Sequence, residues 1–142
     1  MLNEQEKINF INSVSRVLKS LNPRTQDIVS RRFGFKTGDI ETLESIGQKY
    51  SITRERVRQI EETALRELRK NFDSFNLGDQ VLKIKAILQG YENVVREDFL
   101  FHEFSGSSQY NKTNGVFVFL MTISSTFERY PEDDHYHSIW TV

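Results

Sequence analysis

Cysteine is absent from this 142-residue sequence, and long apolar runs are missing as well. Without cysteine the chain has no disulfide scaffold, thiolate zinc site or cysteine nucleophile, and a reducing compartment fits this composition. The longest apolar run, Val116 to Met121, is far shorter than the roughly 20 residues of a membrane-spanning helix. The N-terminus also lacks the basic start and apolar core of a signal peptide. We therefore expect a cytoplasmic protein with no role in a membrane or in secretion.

The charge balance divides the sequence into two unlike halves. The 19 basic and 20 acidic residues nearly cancel, but residues 1–75 carry a net charge of +3 and residues 76–142 carry −4. Asn, Asp, Ser and Gly cluster near Asn71 to Asp79, between two helical patterns. We therefore predict two small domains, residues 1–75 (the N-terminal segment) and residues 76–142 (the C-terminal segment).

The N-terminal segment has the pattern of a helical bundle. A first amphipathic helix is predicted by apolar residues at helical spacing, at Ile8, Ile11, Val14, Leu18 and Leu21. A second helix begins at Asn22-Pro23, where Asn can cap and Pro fits the first turn, and it ends at Gly34.

Two more helical patterns, Thr42 to Tyr50 and Arg54 to Lys70, are separated by a turn too short for antiparallel packing. They must cross steeply, and Gly47 leaves room for that crossing, while Thr53 is a good N-cap. This arrangement predicts a helix-turn-helix, whose second helix enters the DNA major groove by its N-terminal end.

The outer face of that second helix is polar, and it carries Arg54, Glu55, Arg58, Gln59 and Glu62. Arg can bind guanine, Gln can bind adenine, and Glu can accept a hydrogen bond from the cytosine amino group. The free N–H groups of a helix N-terminus suit phosphate, so Thr42 and Leu43 are candidate phosphate contacts. The same charges also fit a solvent-exposed face laced with ion pairs. These residue types alone leave both interpretations open.

The residue order from Leu21 to Lys70 resembles region 4 of the bacterial primary-type sigma factors. The resemblance rests on Leu21-Asn22-Pro23-Arg24, Arg32-Phe33-Gly34, Thr42-Leu43-Glu44-Ser45-Ile46-Gly47, Thr53 to Glu61 and Ala64 to Arg69. It implies a non-enzymatic transcription protein that contacts a promoter −35 element and docks on the β flap of RNA polymerase. By position it implies base contacts from Arg54, Glu55, Arg58 and Gln59. It implies phosphate contacts from Arg24, Arg32, Thr42, Leu43, Thr53 and Arg56.

Departures from the family pattern leave other interpretations open. Nothing before Leu21 resembles the aromatic-rich region that opens the −10 element, so we expect a regulator that uses this domain alone or a fragment of a longer chain. The family's usual residues are replaced at Thr25-Gln26-Asp27, Ser30 and Ser45, which weakens the case for polymerase docking more than the case for DNA contact. An adaptor that binds only protein, such as the β flap or an anti-sigma-type partner, is the alternative.

The C-terminal segment has the pattern of three helices and a hairpin. The first helix carries Val81, Ile84, Ile87 and Leu88, with Val94 and Val95 in its pattern, and stops near Gly90 or shortly beyond; two more are predicted at Phe99 to Phe104 and Asn114 to Glu128. Alternation over Tyr136 to Val142 predicts a strand, one arm of a hairpin, and its abrupt end favours a truncated chain.

This order is that of a winged helix. Phe127 to Tyr130 and His137 to Trp140 resemble the HARE-type winged-helix domains, a resemblance that covers residues 78–142. The net charge of −4 favours protein interaction over DNA binding here. The predicted fold is therefore mainly α, a helix-turn-helix bundle followed by a small winged-helix-like α+β module.

The acidic turn after Pro131 is a candidate metal site, because it offers oxygen and imidazole ligands at Glu132, Asp133, Asp134, His135 and His137. A solvated acidic loop explains such a turn more simply, because no second cluster completes a site. We predict no cofactor, no metal and no enzyme activity, with a metal-dependent nuclease as a distant alternative.

Overall fold

The computed structural model describes residues 2–132 and 137–142. Their elements run in the order α1 (Glu4–Leu18), α2 (Pro23–Arg32), α3 (Leu43–Tyr50), α4 (Arg54–Lys70), a 3₁₀ turn (Phe72–Phe75), α5 (Gly78–Gln89), β1 (Val94–Arg96), α6 (Glu97–Ser105), α7 (Lys112–Ile123), β2 (Glu128–Tyr130) and β3 (Ile139–Thr141). The predicted fold class is confirmed, with a helix-turn-helix bundle followed by a small winged module. Within this described part of the chain, no helix is long and apolar enough to cross a membrane.

Side-chain caps fix where α2, α3 and α4 begin. Asn22 accepts a hydrogen bond of 2.9 Å from the backbone N–H of Thr25, the third residue of α2. Thr42 and Thr53 accept equivalent bonds of 3.1 Å at the starts of α3 and α4. Each cap satisfies a backbone donor that the helix itself leaves unpaired. The predicted start signals are confirmed, and α4 has the predicted bounds.

Three local predictions were wrong: the place of Val94 and Val95, the end of the third helix of the C-terminal segment, and the buried face of α1. Val94 and Val95 form strand β1 instead of following the α5 pattern, because left-handed backbone at Glu92 and Asn93 turns the chain. The third predicted helix ends at Ile123, and the residues from Glu128 pair with β3 instead.

In α1, Ile8 and Ile11 are exposed, whereas Phe10 is fully buried. The apolar pattern therefore gave the helix correctly but misplaced part of its buried face.

The three strands form one antiparallel sheet in the order β1-β3-β2. Trp140 of β3 lies opposite Val95 of β1 and Arg129 of β2. Its buried indole N–H donates to Glu97 Oε2 at 2.8 Å, and Arg129 pairs with the same carboxylate at 2.7 Å. The β2–β3 hairpin confirms the predicted hairpin arm. Three residues of the candidate metal site after Pro131, Asp133, Asp134 and His135, lie outside the described residues.

The main hydrophobic core joins the two segments around α7. Phe117 stacks on Phe104 of α6 with ring centroids 4.0 Å apart, and it contacts Phe10 of α1 at 4.5 Å. A Cβ atom at Gly115 would lie 2.2 Å from the Phe33 carbonyl oxygen, so this glycine lets α7 approach the end of α2. Helices α1, α6 and α7 therefore share one core across the predicted domain boundary.

Candidate nucleic-acid interface

Helices α3 and α4 cross through a tight turn that has room for no side chain at Gly47. A Cβ atom there would lie 2.7 Å from the Ile52 carbonyl oxygen. The Ile52 amide donates to the Gly47 carbonyl at 2.9 Å, and Ser51 adopts a left-handed backbone with φ of 55°. A small apolar cluster, separate from the main core, holds the motif together through Ile28, Ile46 and Val57. The predicted helix-turn-helix is thus present, with Gly47 in its predicted place.

The polar face of α4 is fully presented to solvent. Val57 and Ala64 are buried, and the opposite side exposes Arg54, Glu55, Arg58, Gln59 and Glu62. Four of these five side chains lie in the first two turns, where the helix end is free to enter a groove. The structure therefore brings the predicted base-reading residues together on one accessible surface.

Arg58 forms ion pairs on both sides along that surface. Its guanidinium lies 2.7 Å from Glu55 Oε1 and 2.6 Å from Glu62 Oε2. The hydrogen bond from Arg58 lowers the pKa of Glu55, and its bond to Glu55 raises the pKa of Arg58. Glu55 is consequently ionised at neutral pH and presents acceptors only. Because the side chains are exposed, these pairs add little stability and can be exchanged for contacts with a base.

Arg54 differs from Arg58 in its bonding. Within residues 2–132 and 137–142 its side chain makes neither a hydrogen bond nor an ion pair, and it lies at the first position of α4. Gln59 makes two side-chain contacts: its carbonyl oxygen lies 3.5 Å from an Arg56 nitrogen, and its amide hydrogen-bonds Glu55, which helps to lower the pKa of that carboxyl. Of the candidate base-reading side chains, Arg54 therefore loses the fewest contacts when it binds a base edge.

The predicted phosphate contacts fall into two groups. Thr42, Leu43, Thr53 and Arg56 lie at the starts of α3 and α4, and Arg24 is exposed at the start of α2. Arg32, by contrast, pairs with Glu61 at 2.9 Å and donates to the Glu41 carbonyl at 2.8 Å. Arg32 is thus placed to brace α2 against α4.

Comparison with known proteins identifies this part of the chain. Residues 17–70 match the family model described as "Sigma-70, region 4". Residues 17–70 are a sigma-70 region 4 segment. The resemblance predicted for Leu21 to Lys70 is confirmed, and the match begins four residues earlier.

The curated relatives of this region 4 segment are much longer proteins. RNA polymerase sigma factor SigA of Nostoc sp. is 52% identical over 56 residues, which are 39% of this chain and 14% of that protein. SigA of Clostridium acetobutylicum is 44% identical over 64 residues, 45% of this chain and 17% of that protein. RpoD of Neisseria gonorrhoeae is 47% identical over 53 residues, 37% of this chain and 8% of that protein. The matched part thus spans less than a fifth of each of these relatives.

A polar network that the sequence did not predict joins α2 to α3 and to the loop between them. The Tyr50 hydroxyl donates to Asp27, and Arg31 bridges Asp27 at 2.9 Å and Glu41 at 3.2 Å. Burial raises the pKa of Asp27, but the hydrogen bonds from Tyr50 and Arg31 outweigh burial and lower it. The helical spacing of Asp27 and Arg31 could have indicated their pair. The partners on α3 and in the loop could not be found from spacing.

Helix α7 of the C-terminal segment presents no comparable polar face. On α7 the side chains of Phe117, Phe119 and Met121 are completely buried, and Lys112 is the cation of this helix. Among residues 2–132 and 137–142, no group of three or more histidine, aspartate or glutamate side chains is arranged to hold a metal ion.

Proposed function

We propose that this chain is a sequence-specific DNA-binding transcription protein that contacts a promoter −35-like element through its region 4 segment. The family match and the relatives named as RNA polymerase sigma factors support a role of this class. The observation that carries the finer proposal is the exposed face at the start of α4, next to a buried helix-turn-helix core. The proposed role is non-enzymatic, needs no cofactor and places the protein in the cytoplasm.

Each side chain of this face has a distinct proposed task. Arg54 and Arg58 donate paired hydrogen bonds to guanine, Gln59 bonds adenine, and ionised Glu55 accepts from cytosine. The residues proposed to bind the phosphate backbone are Arg24, Thr42, Leu43, Thr53 and Arg56. Arg32 instead holds α2 against α4 through its ion pair with Glu61. Base contacts supply the sequence preference, and phosphate contacts supply affinity that depends on salt.

The proposed protein partner is RNA polymerase core, through its β flap. A groove of about 580 Å³ lies beside α4, between its second half and the turn that joins α1 to α2. Leu21, Ile60, Leu68 and Phe75 give this groove an apolar lining, with polar side chains at its rim. We infer that the flap docks here, because the groove has an apolar lining and none of the four proposed base-reading residues lines it; of the proposed phosphate contacts, Arg56 also lines it.

The test of the DNA-reading proposal compares two duplexes at two salt concentrations. Fluorescence anisotropy would measure binding of the full chain to a duplex with a consensus −35 element and to a scrambled duplex. We expect a preference for the consensus that Arg54→Ala removes, at a cost of about 1 to 3 kcal/mol. Arg66→Ala is the matched control, because Arg66 is exposed on the same helix but far from its N-terminal end.

The second candidate is the adaptor that binds only protein, which the pairing of Arg58 with Glu55 and Glu62 favours. Equal weak binding to both duplexes, with a salt dependence that Arg54→Ala leaves unchanged, would contradict DNA reading. Retention of RNA polymerase core on the immobilised chain, lost when Thr63→Trp fills the groove beside α4, would then support the adaptor.

A further inference from the structure

A second, smaller groove lies between α1 and the first turn of α7. Its volume is about 290 Å³, and its lining consists of Ile11, Val14, Ser15, Leu18, Phe35, Lys112, Thr113 and Val116. Most of this lining is aliphatic or aromatic. The groove is formed jointly by the N-terminal and C-terminal segments, so it exists only when α7 is docked.

The exposed isoleucines of α1 extend this apolar groove along the helix. Ile8 is 47% exposed and Ile11 is 42% exposed, one helical turn apart. With Leu18 they lie along one side of α1, at spacings of three and seven residues. A single exposed isoleucine needs no explanation, but two that continue a groove form a surface suited to the apolar side of a partner helix.

Lys112 is the charged residue that lines the groove, whereas Arg16, beside the lining residue Ser15 in the chain, donates to the Phe75 carbonyl at 3.0 Å. The charged residues that line it or adjoin a lining residue in the chain are Arg16, Lys19, Lys36 and Lys112, with no acidic residue among them. Lys36 is paired with Asp27 at 3.5 Å. Lys19 and Lys112 form no ion pair within the described ranges. An apolar groove with an unpaired lysine in its lining favours an apolar segment flanked by acidic residues.

We propose that the groove between α1 and α7 binds an acidic amphipathic helix of a partner protein. The apolar side chains of that helix would enter beside Ile11 and Val116, and a carboxylate would pair with Lys112. This surface involves neither the exposed face of α4 nor the groove beside α4. The inference therefore goes beyond the proposed function and does not depend on DNA reading.

The test uses a synthetic helical peptide of about 18 residues, with Leu at every third or fourth position and Glu beside each Leu. A second peptide replaces every Glu with Lys. Anisotropy of the labelled peptides with the full chain should show saturable binding of the acidic peptide only. Ile11→Ser should weaken that binding about tenfold, because it removes apolar contact area. Lys112→Glu should weaken binding of the acidic peptide and strengthen binding of the basic peptide.

Leu82→Ser is the matched control, because Leu82 is 63% exposed on α5, away from the groove. It should leave peptide binding unchanged. The proposal is overturned if the acidic peptide shows no saturable binding, if both peptides bind alike, or if Ile11→Ser binds as tightly as Leu82→Ser. Binding of Ile11→Ser to the −35 duplex should match the unmodified chain, which keeps this result separate from the test of DNA reading.

Discussion

Helices α4 and α7 hold equivalent places, because each is the last α-helix of its segment, yet their surfaces differ in the opposite sense. Helix α4 buries a narrow side at Val57 and Ala64 and exposes charged and amide side chains. Helix α7 buries nearly all of its length around Phe117 and Phe119. The comparison teaches that a helix-turn-helix arrangement does not by itself make a DNA reader. The side chains left at the surface decide what the helix can bind.

The two segments are also stabilised by different means. The region 4 segment adds a small aliphatic cluster and the network of Asp27, Tyr50, Arg31 and Glu41. The C-terminal segment relies on aromatic stacking and on the Glu97 carboxylate, which holds Trp140 and Arg129 together. Removing α7 would therefore uncover the α1 side of the N-terminal segment but leave the helix-turn-helix cluster intact.

The largest expected effect is a loss of stability when the aromatic stack around Phe117 is removed. Phe117→Ala should lower the free energy of unfolding by about 3 to 5 kcal/mol, because it removes a buried ring that contacts Phe104 and Phe10. Urea denaturation followed by circular dichroism measures this loss. Because the two segments share that core, both should unfold together. A loss below about 1 kcal/mol would contradict the central place of α7.

A somewhat smaller effect is expected where α7 meets α2. Gly115→Ala would place a Cβ atom 2.2 Å from the Phe33 carbonyl oxygen, so the backbone must shift. We expect a loss of about 3 kcal/mol in the free energy of unfolding. Gly78→Ala is the control, since nothing lies within 4 Å of its added Cβ atom. Equal stability of the two variants would show that the close approach is not required.

The third expected effect is a pH-dependent loss of stability that arises at Asp27 in the region 4 segment. In the folded chain the pKa of Asp27 is lowered, so its contribution is present above the ordinary carboxyl pKa and lost as pH falls through the folded value. Asp27→Asn should cost about 2 kcal/mol near neutral pH. That difference from the unmodified chain should shrink as pH falls below about 4. Denaturation at several pH values measures it, with exposed Asp39→Asn as control; a difference independent of pH would contradict the assignment.

The smallest expected effect is on the salt dependence of DNA binding, which should change when a cation of the region 4 segment is removed but not when the cation of α7 is removed. Arg24→Ala should weaken binding to all duplexes alike and reduce the slope of log affinity against log salt by about 0.9. Lys112→Ala, which removes the cation of α7, should leave that slope unchanged. Anisotropy over a salt series compares them directly. A lower slope for Lys112→Ala would mean that the C-terminal segment also contacts DNA.

The parts of the fold that follow from neighbouring residues were predictable. The bounds of α4 depend on the Thr53 cap and on apolar residues spaced along one helix, and the candidate base-reading face follows from the same spacing. The turn at Gly47 was predictable for the same reason, because a short connection forces a close crossing. These features need no knowledge of distant parts of the chain.

The missed features depend on residues far apart in the sequence. Strand β1 exists because Val95 pairs with Trp140, and local patterns do not contain that partner. The bond between Arg32 and Glu61 likewise joins α2 to α4. Phe10, rather than Ile8 or Ile11, is buried because α7 packs on that side of α1. Nothing in the spacing of α1 could indicate where α7 would dock.

The most direct test of the central claim is to locate the DNA contact by nuclear magnetic resonance. Isotope-labelled full chain would be titrated with the −35 duplex and, separately, with the scrambled duplex, and backbone amide shifts would be recorded. The account predicts changes at Thr42, Leu43 and the first two turns of α4 that are larger for the −35 duplex. Changes concentrated in α7 and the β2–β3 hairpin, or equal changes with both duplexes, would contradict it.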